Sequence, residues 1–318
     1  MKKKRSALPI FAGITASSIF GLSFMFSSVA LKLVDTFTLL SFRFLLAFAI
    51  MSILVLTKVI KVDYKDKNLK SLFILGLMQP IVYFIFETYG IKNSSSSIAG
   101  VMIALIPITV ALFSAYFLKE KPTSLQWMFI ITSVIGVIFI IIMGGNSSGS
   151  MSFMGIICLL IAVLSATVFN LLSRKLSKEF SPIEITYYMM GLGALTFTIM
   201  SIIQHILKGT LSQFFAPLGN KSFVVSLMYL GILSSIIAFL FINYSLSKLE
   251  ASKSAILGNF STIVSIIAGV VFLKEDFRLF HLVGSALILI GVWGTNYIGS
   301  KIPKDTLEGA IKNQSSEL

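Results

Sequence analysis

The sequence predicts an all-α integral membrane protein of about ten transmembrane helices, arranged as two inverted five-helix repeats. Three observations carry this prediction. The 318 residues are 56% hydrophobic and only 12% charged, with a mean hydropathy of +0.93, whereas an average soluble domain carries roughly 25% charge. The apolar residues form runs long enough to cross roughly 30 Å of hydrocarbon as helices. The third observation is an internal repeat.

The apolar runs fall into two sets of five on either side of a Gly- and Ser-rich segment. The predicted spans of the first set are residues 10–29, 36–56, 71–90, 97–118 and 125–143. Those of the second set are residues 153–172, 183–203, 223–244, 251–273 and 280–298. The sequence therefore predicts a first five-helix repeat at 1–143, a linker at 144–152, a second repeat at 153–299 and a disordered cytoplasmic tail at 300–318.

The two halves resemble each other at a shift of 155 residues. Aligned without gaps on residues 226–292, residues 71–137 show 17 identities in 67 positions. One matching segment is Phe-Leu-Lys-Glu at 117–120 and again at 272–275, and its Lys-Glu pairs are expected to end helices. A repeat with five spans must insert its second copy upside down, which is the architecture of many secondary transporters.

Lysine and arginine residues predict the orientation in the membrane. With a cytoplasmic N-terminus, the cytoplasmic loops and tails hold 19 of the 26 basic residues, the opposite loops hold 6, and Arg43 lies within a span. The positive-inside rule then predicts that both termini lie in the cytoplasm. The expected location is the cell (inner) membrane. The net charge of +13 is spread over short clusters between spans, which argues against a nucleic-acid partner.

Several motifs occur at characteristic places along the spans: Arg43 in the second, the segment 90–97 before the fourth, Pro107 within it, residues 117–120 at its end and Gly136 in the fifth. On these residues the chain resembles the drug/metabolite transporter superfamily, specifically its EamA-like transporter family, over essentially its whole length. The resemblance implies ten helices and alternating access. It also implies a central cavity lined by the third, fourth, eighth and ninth helices with the first and sixth.

The predicted function is therefore secondary transport of small metabolites across the plasma membrane, with export of amino acids or related compounds. The expected partners are a small-molecule substrate, the lipid bilayer and a coupling ion such as a proton. An alternative is a non-transporting membrane protein of the same fold, either a lipid-handling protein or an accessory subunit. The sequence lacks a zinc-binding His-Glu motif, a phosphate-binding loop and a nucleophile elbow, so no enzyme, cofactor or metal is predicted.

The candidate substrate-binding residues are the polar and charged side chains within the spans: Arg43, Gln79, Tyr83, Glu87, Asn170, Asn243 and Asn259. A charge at the bilayer centre costs at least ~2.5 kcal/mol, which makes such residues functional candidates. In one interpretation Glu87 binds a proton or cation and Arg43 binds a substrate carboxylate. In the other, the two form a structural ion pair, or Arg43 extends to the interface. The amides either line a cavity or form interhelical hydrogen bonds.

Overall fold

The computed structural model describes residues 7–118, 123–145, 152–249, 254 and 257–299, and within these ranges the chain forms helices without strands. Most of the predicted linker, residues 146–151, and the predicted tail, residues 300–318, lie outside the described residues. In chain order the helices are α1 (Leu8–Leu31), α2 (Thr36–Leu56), α3 (Leu69–Lys92), α4 (Ser96–Ile103), α5 (Ile106–Leu118), α6 (Ser124–Gly145), α7 (Phe153–Leu176), α8 (Pro182–Leu207), α9 (Lys221–Lys248), α10 (Asn259–Phe272) and α11 (Leu279–Gly299).

Helix length and hydropathy fit a membrane protein. In the part of the chain that the structure describes, seven helical segments are long and apolar enough to span a bilayer: α1, α2, α3, α4 with the start of α5, α7, α8 and α9. Three shorter apolar helices accompany them at Ser124–Ile140, Asn259–Phe272 and Leu279–Thr295. The fold is therefore that of a helical, multi-pass membrane protein.

The fourth predicted span, residues 97–118, is not one continuous helix. It breaks between α4 and α5, where the amides of Ala104 and Leu105 donate to the carbonyl groups of Val101 and Met102, three residues back. Pro107 in the first turn of α5 has no amide hydrogen, so the hydrogen-bond ladder of an uninterrupted helix is incomplete there. This span therefore consists of two helical segments, α4 and α5.

The loops lie on two opposite faces, as expected of helices that cross a membrane in alternation. The Asp35 face is the one at which the Asp35 carboxylate binds Lys208 at 2.7 Å and approaches Lys92 at 3.9 Å. The Glu184 face is the one at which Glu184 binds Lys67 at 2.7 Å. The loops after α1, α3 and α8 lie at the first face, and those after α2 and α7 lie at the second.

Helices α2 and α8 pack against each other along their length and thereby join the two halves of the chain. We call this contact the seam. Three pairs of hydroxyl groups share hydrogen bonds of 3.0–3.2 Å across it: Thr38 with Ser201, Ser41 with Thr198, and Ser52 with Tyr187. Such pairs satisfy polar groups that would otherwise be unpaired in hydrocarbon.

Helices α3 and α9 are both distorted near their middle: α3 is kinked within Leu77–Val82, and α9 has a wide π-type turn at Tyr229–Ala238. The 155-residue shift maps 77–82 onto 232–237, so the distortions occur at equivalent positions. In α3 the backbone at Gln79 is extended, with φ −143° and ψ 115°. The carbonyl group of Met78 accepts a hydrogen bond of 2.6 Å from the Ser165 hydroxyl. Wide π-type turns such as that in α9 are frequent at functional sites.

A candidate substrate cavity between the two halves

A central cavity of about 90 Å³ lies among helices of both halves of the chain. Its lining includes Ser23 of α1, Arg43 of α2, Glu87 of α3, Pro107 of α5 and Phe239 of α9, together with residues of α4 and α7 and of the segment at 254–261. The six predicted spans that the family resemblance places around the cavity all contribute lining residues. Helix α2, which the resemblance does not include, contributes Arg43. The cavity has room for a small solute of a few heavy atoms or several waters.

Arg43 is held inside the protein by the second half of the chain. Its side chain is 1% exposed, so it does not extend to the membrane interface. Nε donates to the hydroxyl of Ser235 at 2.8 Å, and Nη2 donates to that of Ser234 at 2.9 Å. The guanidinium carbon lies 4.3 Å from the ring centroid of Phe84, a cation–π contact. The wide turn in α9 thus presents the two hydroxyl groups that fix Arg43.

Glu87 lies in the same cavity, yet it does not form the direct ion pair that was one alternative for Arg43. The carboxylate is 2% exposed, and its Oε2 accepts one hydrogen bond of 3.3 Å, from the Thr88 hydroxyl. Among the described residues no basic side chain lies within 4 Å of it. Both charges therefore line one space with capacity left to bind a solute.

Three further candidates from the sequence also line the cavity: Gln79, Tyr83 and Asn170. Gln79 and Tyr83 are 7% and 8% exposed. In the described part of the chain, neither the Gln79 amide nor the Tyr83 hydroxyl has a hydrogen-bond partner within the protein. Asn170 donates through Nδ2 to the carbonyl group of Ala166 at 2.7 Å. The cavity wall therefore offers both donors and acceptors to a solute.

Asn243 and Asn259 are not among the residues that line the cavity. The Asn243 amide is fully buried; it accepts from Ser173 at 2.9 Å and donates to Thr186 at 3.0 Å. It therefore bridges α7, α8 and α9, which is the interhelical role that the sequence left open. Asn259 is the first residue of α10, beside the lining residue Gly258, and its buried Oδ1 has no hydrogen-bond partner among the described residues.

Sequence reasoning missed two sets of cavity residues. The first is the pair Ser234 and Ser235, which occupy the positions equivalent to Gln79 and Pro80 in the internal repeat. That alignment was the available signal, because both pairs lie within the equivalent distorted segments of α3 and α9. The second set is aromatic: Phe20, Phe24, Phe84, Phe169 and Phe239. No signal distinguished these five from the other phenylalanines, since the chain has 28 of them, spread over the spans.

The two predicted Lys-Glu pairs differ in what the structure shows of them. Lys119 and Glu120 lie outside the described residues. Lys274 and Glu275 follow the end of α10, and the Glu275 carboxylate accepts hydrogen bonds from the first turn of α4. This contact between the halves lies at the Asp35 face.

A cavity that is lined by charged and aromatic side chains and lies among membrane helices from both halves of a chain is the kind of site that transporters have. The EamA-like transporter family matches residues 7–142 and 153–297. The chain belongs to this family, within the drug/metabolite transporter superfamily, and it is a multi-pass membrane transporter.

The most informative relatives are also transporters by name. The uncharacterized transporter YcxC of Bacillus subtilis (strain 168) is 38% identical, over 93% of this chain and 95% of its own length. An uncharacterized transporter of Archaeoglobus fulgidus is 26% identical, over 87% of this chain and 94% of its own. A crystal structure with 18% sequence identity superposes with a TM-score of 0.64, covering 91% of this chain and 96% of the other. That likeness concerns the fold.

Proposed function

We propose that this protein is a secondary transporter that exports an amino acid or a similar small zwitterion by alternating access to the central cavity. One observation carries the proposal: a buried guanidinium and a buried carboxylate, Arg43 and Glu87, line the same cavity without pairing with each other. Burial of two separate charges among membrane helices is costly. A solute that carries both opposite charges offsets the cost at both sites at once.

The groups around the cavity fit the two ends of such a solute. Arg43 offers planar N–H donors suited to a carboxylate, and in the described protein only its Nε and Nη2 are engaged. Glu87 offers acceptor oxygens to an ammonium group, and the faces of aromatic rings such as that of Tyr83 attract cations. When the cavity is empty, a proton on Glu87 would remove the unpaired negative charge, which makes a proton the natural coupling ion.

The proposed architecture is ten transmembrane helices in two inverted repeats, 1–143 and 153–299, with a linker at 144–152 and a cytoplasmic tail at 300–318. The seven long and three shorter apolar helices support this number. The match of the family to one segment in each half supports the repeat, as do the equivalent distortions in α3 and α9. With both termini cytoplasmic, as the distribution of basic residues predicts, the Asp35 face is extracytoplasmic.

A lateral opening toward the lipid headgroups, lined by Arg43, would favour the lipid-handling alternative. The Arg43 side chain is 1% exposed and bonded to Ser234 and Ser235, so no observation favours that function. Transport is therefore the function that we propose.

The test is counterflow into proteoliposomes with a panel of labelled amino acids, followed by the variants Arg43→Gln and Glu87→Gln. We expect each to lower transport by about 100-fold, because each loses charge-assisted bonds of ~1.5–3 kcal/mol to the solute. Arg174→Gln is the matched control, since Arg174 donates to the carbonyl groups of Leu246 and Ser247 at the Glu184 face. It should keep most of the transport activity.

Substrate analogues assign each charge to its partner. The methyl ester of a transported amino acid lacks the carboxylate, and its N-acetyl derivative lacks the ammonium group. We expect Arg43→Gln to lose the preference for the free acid over the ester, and Glu87→Gln to lose the preference for the free amine over the amide. If both variants keep both preferences, or if no amino acid is transported under any gradient, the proposed substrate class is wrong.

A further inference from the structure

Helix α4 separates the central cavity from a second cavity at the Asp35 face. This outer vestibule has a volume of about 470 Å³ and is lined by polar residues that include Lys92, Ser95 and Glu275, together with Ile98 of α4. The other end of the same helix contributes Ile103 to the central cavity. All eight residues of α4 are buried. Helix α4 is thus a partition between the two spaces.

One carboxylate holds the start of this partition. Oε1 of Glu275 accepts hydrogen bonds from the amide and hydroxyl of Ser96, at 2.8 and 2.7 Å. Oε2 accepts from the amide and hydroxyl of Ser97, at 2.9 and 2.5 Å. The carboxylate also faces the positive end of the helix dipole. Glu275, from the other half of the chain, therefore caps α4 together with the hydroxyl of Ser95, which accepts a hydrogen bond from the amide of Ile98.

The end of α10 directs Glu275 to this position. Lys274 adopts a left-handed conformation with φ 56°, and the amide of Glu275 donates to the carbonyl group of Gly269 at 3.1 Å. A Cβ atom at Gly269 would collide with both the Ser97 hydroxyl and the Glu275 carboxylate. The hydroxyl of Thr262 adds one bond between the helices, to the carbonyl group of Gly100 at 2.8 Å.

All of the groups that bind the Glu275 carboxylate are neutral. Among the described residues no cation pairs with it, whereas Glu184 at the opposite face binds Lys67 at 2.7 Å. Hydrogen bonds from neutral amides and hydroxyls exchange for bonds to water when a contact opens toward an aqueous vestibule. Such a contact leaves no unpaired buried cation behind when it breaks, so it is suited to repeated opening.

We propose that Glu275 is a latch, which closes the central cavity toward the Asp35 face by binding Ser96 and Ser97 and releases α4 when that end opens. Closure by the latch is a property of the fold. Its release in every transport cycle rests on the proposed function.

The test measures access to the central cavity with a thiol reporter. In a Cys158→Ala background, which removes the single native cysteine, Ser23→Cys places a thiol in the cavity wall. A membrane-impermeant maleimide is added to intact cells and, in parallel, to inverted vesicles, so that each face is probed separately. No substrate is needed, and failure of the transport proposal is therefore distinguishable from failure of the latch.

We expect Glu275→Gln and Gly269→Ala each to raise the labelling rate by about tenfold from the Asp35 face, a factor that corresponds to ~1.4 kcal/mol. Gly269→Ala displaces the carboxylate without changing any charge. Glu184→Gln is the matched control, because Glu184 also caps a helix and bonds to the other half, and it should leave the rate unchanged. A double Ser96→Ala, Ser97→Ala variant replaces Glu275→Gln if the latter does not fold.

Two results would overturn the proposal. One is an unchanged labelling rate from the Asp35 face in both latch variants. The other is an equal rise in the Glu184→Gln control, since that would mean general loosening of the helices. A rise confined to the latch variants and to the Asp35 face supports the proposal.

Discussion

Two of the contacts that join the halves of this transporter distribute their polar bonds differently. In the seam between α2 and α8, hydroxyl pairs follow one another along the helices, and ion pairs at Asp35 and Glu184 lie near its two ends. In the junction between α4 and α10, four of the bonds converge on the carboxylate of Glu275. Opening the seam would require many bonds to break together.

The comparison indicates which parts of the molecule can move during transport. Both contacts pack closely, since Gly193 of α8 lies against the ring of Phe44 and Gly269 of α10 lies against Ser97, so the difference lies in how the polar bonds are distributed. The junction separates two cavities, and its main polar contact lies at the outer vestibule, which has the more polar lining of the two. We therefore expect the seam to stay fixed while the junction opens and closes.

The largest expected effect comes from cross-linking the two contacts in a Cys158→Ala background. A disulfide between Ser97→Cys and Gly269→Cys fixes the junction, because the two side chains would meet there; its reference is the same variant after reduction, since a Cβ atom at Gly269 also displaces the Glu275 carboxylate. We expect oxidation to reduce transport by at least about tenfold, and a reductant to restore it, since opening would require breaking a covalent bond. The measurement is counterflow before and after reduction.

The control for this experiment fixes the seam instead. Ser41→Cys and Thr198→Cys replace hydroxyl groups whose oxygen atoms lie 3.0 Å apart. Oxidation of this pair should leave the transport rate unchanged. Inhibition by the seam disulfide, or full activity with the junction disulfide, would refute the assignment of a fixed and a moving contact.

The second prediction concerns packing in the seam. Gly193→Val should lower the free energy of unfolding by about 1–3 kcal/mol, because a Cβ atom at Gly193 would lie 2.6 Å from a ring carbon of the buried Phe44. The measurement is thermal unfolding of the detergent-solubilised protein. Gly219→Val is the matched control, since nothing lies within 4 Å of a Cβ atom at that loop position; equal stability losses in the two variants would contradict close packing in the seam.

The third prediction concerns the ion pair at the Glu184 end of the seam. Lys67 and Glu184 have side-chain exposures of 23% and 7%, so solvent screens their attraction only in part. A double-mutant cycle with Lys67→Met and Glu184→Gln should give a coupling free energy of about 1 kcal/mol. Thermal unfolding of the four proteins measures it. Additive losses would mean that the pair adds no stability and that this end is not fixed by charge.

The smallest expected effect is a pH dependence at the Asp35 end of the seam. The hydrogen bond from Lys208 lowers the pKa of Asp35, so this carboxylate stabilises the folded state above the pKa of an unfolded aspartate, about 3.9. That contribution is lost as the pH falls through the lower, folded-state pKa. Because the side chain is 40% exposed, screening keeps the effect under ~1 kcal/mol.

The measurement is the melting temperature of the wild type and of Asp35→Asn at pH 7 and again near pH 3. At pH 7 the wild type should have a higher melting temperature than Asp35→Asn. This difference between the two proteins should shrink near pH 3. A difference that is the same at both values would mean that the Asp35 charge does not stabilise the seam.

By itself, the sequence determined the membrane class, the family and the positions of the apolar helices. Apolar runs and helix ends are local properties, and α2 begins and ends where its run does, at Thr36–Leu56. The choice of Arg43 and Glu87 as lining candidates also came from the sequence, because a charge among apolar residues stands out along the chain. The free-energy cost of placing a charge within the membrane does not depend on the details of the fold.

The tertiary structure alone decided which groups these candidates meet. Arg43 binds Ser234 and Ser235, more than 190 positions away, and no local pattern encodes a partner at that separation. Asn243 and Asn170 have the same chemistry in the sequence, yet one bridges three helices and the other lines the cavity. The difference depends on which neighbouring helix each side chain faces and on how far away that helix lies. Both are set by how the helices pack.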